Sequence, residues 1–331
     1  MPTLYAAFED RVLRIAGEGE DWSLETVHEG SRFEAVAGHP DAPDRIVVGT
    51  IEDGVHRSLD GGTSWERVGE SVVTDRVTSL ASDPSDVDRF YLGCEPSAVY
   101  RSDDGGETWS TMDGLADLPS SSTWSFPPRP HTHHVRWIEV DPSEPPHLYV
   151  GVEAGALLQT YDRGETWVDR VETSRIDVHE LETHPDAPGT VWCAAGDGFA
   201  ESTDGGITWE YPQSGLDHRY CWSVAADPGD PNAIVVSAAR GPRTAHNQST
   251  AESYVYRRDG AEWVRAGDGL PDGTGMLRPV LSRGFEPGSI FAATNRGCFR
   301  TTTAGEQWAR IDVPWPDVLD RQTPRGLLVG P

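Results

Sequence analysis

The string RSDDGGETW at residues 101–109 recurs along the chain, and its spacing limits the possible folds more than any other feature. Close copies end at Trp65 (SLDGGTSW), Trp109 (SDDGGETW), Trp167 (TYDRGETW) and Trp209 (STDGGITW). Weaker copies end at Trp263 (RRDGAEW) and Trp308 (TTTAGEQW), and a vestige, AGEGEDW, ends at Trp22. Successive tryptophans stand 43, 44, 58, 42, 54 and 45 residues apart. A regular period of this size marks an array of like units, each burying its apolar face against the next.

Each unit carries the same short strands. Two runs joined by a tight link precede the box, as in RIVVGTIEDGVHRS (45–58), RFYLGCEPSAVYRS (89–102) and HLYVGVEAGALLQT (147–160). Upstream lies another short run ending in a proline turn, such as VTSLASDPSD or WIEVDPSEPP; proline presets φ for the turn. A unit is therefore strand a, a proline turn, strand b, a short link, strand c, the box, then strand d near the Trp. No convincing 3.6-residue apolar period appears. Four short antiparallel strands in about 43 residues, repeated seven times, predict an all-β, seven-bladed β-propeller over residues 1–331 as one domain. The first unit lacks strand a, and RGLLVGP near the C-terminus is left over. Residues 325–330 are expected to pair with 3–8 and close the ring.

The boxes resemble the Asp-box (BNR) repeats of sialidase-like and sortilin-like propellers, and of the photosystem II assembly-factor propellers. The likeness runs along nearly the whole chain. It is specific for architecture and weak for function. Asp60, Asp104, Asp162 and Asp204 are read as locks of the c–d turn, accepting hydrogen bonds from its amides. Trp65, Trp109, Trp167 and Trp209 pack into the blades. Sialidases use an arginine triad, a Tyr–Glu nucleophile pair and an Asp acid, after an early Arg-Ile-Pro segment. Here that stretch reads GSRFEAVAG, so no catalytic residue carries over.

Two repeats are stretched, by residues 112–134 between strands d and a and by residues 239–253 between b and c. Both insertions fall on the top face, opposite the boxes, and long loops in a compact fold often carry function. Residues entering the inner strands there are Arg32, Arg76, His134, Arg136, Arg175, His179, Arg219, Tyr220, Trp222, Arg278 and Arg325. Such an Arg/His rim suits carboxylates and other anions, although Arg–carboxylate pairs that only join blades would give the same pattern. His131, His133 and His134 raise a metal site; His131 and His133 fall on one side of an extended strand, a third ligand would have to come from elsewhere, and no cofactor is expected. Asp177 and Glu180 are the candidate carboxylates of a hydrolase.

Net charge is −27, and all 27 basic residues are Arg. An acidic, lysine-free surface resembles proteins of salt-loving organisms, where salt screens self-repulsion. It disfavours nucleic acid. Four scattered cysteines match no zinc motif. No secretory leader or membrane span is seen, so a cytoplasmic monomer is expected. The expected function is non-catalytic binding of a protein, peptide or small anionic ligand at the top face; the alternative is a glycoside hydrolase of sialidase type.

Overall fold

The computed structural model describes residues 1–70 and 72–331 and shows a seven-bladed β-propeller. Five blades are four-stranded antiparallel sheets. In the other two, three strands form the ladder, and the fourth position is held by single bridges, Gln159 to Val168 and Glu201 to Glu210. The seven innermost strands are Gly326–Gly330, Phe33–His39, Val77–Asp83, Val135–Val140, Val178–Thr183, Tyr220–Asp227 and Val280–Arg283. Each packs on the next, and the last returns to the first.

Closure follows the expected route. Gly326–Gly330 pairs antiparallel with Thr3–Ala7, aligning Thr3 with Gly330 and Ala7 with Gly326. Arg325 extends the seam: its amide donates to Ala7 O at 2.8 Å, and its guanidinium reaches Glu9 and Glu34. The apolar core lies between blades. Val47, Leu80, Phe90 and Trp109 form one such layer between the second and third blades. Burying each large side chain contributes about 1.5–3 kcal/mol.

The boxes are hydrogen-bonded turns. Ser102 Oγ donates to Asp104 Oδ1 at 2.8 Å and accepts from Gly106 N at 2.9 Å. Asp104 Oδ1 also accepts from Thr108 N at 2.9 Å. Asp60, Asp162 and Asp204 repeat this pattern with their own Ser or Thr partners. Gly105 and Gly106 have φ of 73° and 84°, a region that favours glycine. Trp109 Nε1 closes the turn on Gly106 O at 3.1 Å, and Trp209 does the same on Gly206. Trp65 does so on Gly62 and also ties to the preceding blade at Val27 O, whereas Trp167 ties to the preceding blade at Asp113 O. In the TTTAGEQW copy a hydroxyl replaces the carboxylate: Thr303 Oγ1 accepts from Gln307 N at 3.0 Å.

One departure from the expected pattern is a short helix, Pro242–His246, within the second insertion. No helix among the described residues is long and apolar enough to cross a membrane.

Candidate functional site: the top-face cavity

A second departure from ideal strands builds the site. Five inner strands carry a register shift at the same level: Phe33/Ala35, Val77/Ser79, Val135/Trp137, Val178/Glu180 and Cys221/Ser223. The residue skipped each time is Glu34, Thr78, Arg136, His179 and Trp222. A bulge bends the strand and re-aims the extra side chain. Here it gathers polar and aromatic groups into one layer across the central channel.

Above that layer is a cavity of about 640 Å³, lined by Arg32, Arg76, His134, Tyr220, Trp222, Arg278 and Arg325 among others. Both insertions reach it, the first through Phe126, Pro127, Pro128 and Arg129, the second through Pro242, Arg243 and His246. A second cavity of about 500 Å³ opens at the opposite end, where the proline turns lie. Glu34, Thr78 and Arg325 touch both, so a polar plug separates the two mouths.

Not every candidate belongs to the upper cavity. Arg175 lies outside it, over the Tyr211 ring at 4.2 Å and donating to Phe199 O at 2.8 Å. Arg219 is exposed and also outside it. Arg136 sits in the plug, 3.5 Å from Glu34. Arg32 and Arg76 are at the rim, paired with Glu52 and Glu95. His131, His133 and His134 do not assemble a metal site. His131 is exposed, His133 accepts from Ser97 N, and His134 Nε2 meets Glu153 Oε2 at 2.9 Å. Glu180 faces the lower channel, away from the Asp177 side.

Arg278 is the unusual member. It is 2% exposed, and no carboxylate lies within 4 Å of it among the described residues. Its guanidinium stacks on Trp222 with 3.4 Å to the ring centroid, and Nη1 has no hydrogen-bond partner. Burial pushes against its charge, as do Arg325 and Arg136, while Glu34 favours it. Its Nε donates to His246 Nδ1 at 3.0 Å. An arginine can only donate, so His246 is neutral and Nε2 carries its proton. That proton goes to Tyr220 Oη at 3.0 Å, leaving the Tyr220 hydroxyl hydrogen to donate elsewhere.

Opposite stand Glu153 and Asp177, with very different acidities. Burial would raise Glu153, but the His134 hydrogen bond and nearby cationic groups, Arg136 among them, hold it well below the usual range. Burial, then Glu153 and Asp197, push Asp177 up to about 7. Sequence reasoning missed Glu153, Glu34 and Arg129. Glu153 left a signal: Glu95 in the preceding blade occupies the same position just after strand b.

The BNR/Asp-box repeat model matches residues 100–111 and 200–211, two of the hydrogen-bonded turns described above. The chain is a seven-bladed β-propeller that carries BNR/Asp-box repeats. Solved structures similar to this propeller include the GH74 xyloglucanase from Xanthomonas campestris, at 18% identity and TM-score 0.67, over 94% of this chain and 52% of that one. An ancestral GH74 enzyme matches at 17% identity and TM-score 0.62, over 82% of this chain and 36% of that one. The chain thus spans roughly a third to a half of those enzymes. YCF48 bound to D1 peptide matches at 14% identity and TM-score 0.57, covering 85% and 81% of the two chains. At these identities the likeness establishes the fold. Curated protein sequences give no significant match.

Proposed function

We propose that this propeller is a binding module that seats an anionic group of a peptide, protein or small ligand in its top-face cavity. Arg278 carries the reading. A fully buried guanidinium without a carboxylate partner is costly, and in a chain of net charge −27 carboxylates are plentiful. Arg278 and Tyr220 both line the cavity, and a carboxylate or phosphate seated there would supply the negative charge that the guanidinium lacks. Trp222 and Phe126 supply apolar walls. Structures of this fold that hold a D1 peptide or belong to a nidogen/laminin complex are in keeping with a binding role.

A hydrolase is the second reading. It rests on Glu153 and Asp177, whose oxygens lie within 4.8 Å of each other and whose proton affinities are split, as an acid–base pair requires. One experiment separates the two: thermal-shift screening of anionic metabolites, peptides and oligosaccharides in molar KCl with EDTA. Anions should raise Tm in the wild type and in Arg219→Ala, which lies outside the cavity. Arg278→Gln and Arg243→Ala should lose about tenfold or more in affinity, as expected for a charge-assisted contact worth about 1.5–3 kcal/mol. Turnover of an oligosaccharide that Asp177→Asn abolishes would favour the hydrolase.

A further inference from the structure

At the side of the cavity formed by the fourth and fifth blades, three side chains converge with only acceptors between them. His179 Nδ1 lies 2.7 Å from the carbonyl of Cys221. A carbonyl can only accept, so Nδ1 holds the proton and Nε2 of the neutral ring is a bare lone pair. That nitrogen is buried and has no hydrogen-bond partner. It faces Glu153 Oε1 at 3.9 Å and Asp177 Oδ1 at 4.0 Å. All three atoms lie within 4.8 Å of one another. We propose that Glu153, Asp177 and His179 form a binding site for a divalent first-row cation such as Zn²⁺ or Mn²⁺.

The surroundings hold each ligand as a metal site needs. Metal-binding imidazoles usually donate their other ring N–H to a carbonyl or carboxylate, which fixes tautomer and orientation; Cys221 O does this for His179. His134 binds Glu153 Oε2 and leaves Oε1 free. Ala154 N donates to Asp177 Oδ1 at 3.1 Å. Gly196 gives the aspartate its room, since a Cβ there would stand 1.9 Å from Oδ2. Atoms this far apart surround a point roughly 2–2.5 Å from each, the range of metal–ligand bonds. One imidazole with two carboxylates suits a first-row cation better than calcium. Glu153 and Asp177 also line the cavity, so further coordination positions open toward it.

A metal competes with protons for the carboxylates and the imidazole. Arg136 and Arg278 also face His179 and oppose added positive charge. Binding therefore requires both carboxylates ionised and weakens in acid.

Isothermal titration of the full chain with ZnCl₂ and MnCl₂, in molar KCl to suppress surface binding, tests this. One saturable site is expected at about pH 8, and it should be lost in Asp177→Asn and His179→Ala. Co²⁺ should give a visible d–d spectrum in the wild type that His179→Ala abolishes. Asp177, at the cavity surface, keeps the test decisive if the buried histidine variant fails to fold. No saturable binding at about pH 8, or binding undiminished in Asp177→Asn, overturns the proposal. The anion reading stands or falls separately, because its measurements are made in EDTA.

Discussion

Within one box, a single carboxylate organises a turn that would otherwise leave several donors without partners. Asp104 accepts from Ser102 Oγ, Glu107 N and Thr108 N, and from the Thr108 hydroxyl. Partial burial favours the protonated form, but these bonds outweigh it and hold the carboxyl below its ordinary range. Asp104→Ala is expected to cost about 1–3 kcal/mol, the price of stranding such donors, in urea unfolding. It should leave ligand affinity at the opposite face unchanged. A midpoint equal to wild type would show that water replaces the carboxylate at no cost. The Thr303 copy shows the limit of the motif: one hydroxyl can hold Gln307 N but has no second oxygen for the rest.

Strands differ in how much of them a sequence reveals. Alternating apolar residues, proline turns and box spacing sufficed for blade number and strand order, because those depend on local chemistry. The bulges did not show, because a register shift is a relation between two strands, and GSRFEAVAG reads the same with or without it. The site was therefore legible only in part. Arg278, Trp222 and Tyr220 could be placed near the channel, but Arg175 and Arg219 lie just far enough along their blades to point elsewhere. The five-residue helix was equally hidden, being too short to display a period. The inner strands also bury a pair of carboxylates, Glu139 and Glu182, that the single nearby cation Arg283 does not fully offset. Glu139 accepts from Thr183 and Trp137, yet burial and then Glu182 raise its proton affinity, and Glu182 is raised too. The folded carboxyl then keeps its proton at pH values where the unfolded one, near 4.5, has released it. The folded state binds more protons there, so stability is fullest at and below about pH 4.5 and declines as pH rises through the raised folded value. Melting curves at about pH 5 and about pH 8 should show that decline, and Glu139→Gln should flatten it. An unaltered slope would place the effect elsewhere.

For the ring as a whole, the seam is the decisive joint. Deleting residues 325–331 removes strand Gly326–Gly330, exposes the edge of Thr3–Ala7 and leaves Glu34 without Arg325. Melting temperature should fall by far more than for a surface trim, and an unchanged value would refute the closure. The five register shifts have a wider consequence. An inner strand that slipped by one residue to restore regular pairing would turn its polar residue out of the channel. Blade packing and cavity chemistry are thus set by the same backbone irregularity, and a variant that smooths the sheet should abolish recognition before it disturbs the outline of the molecule.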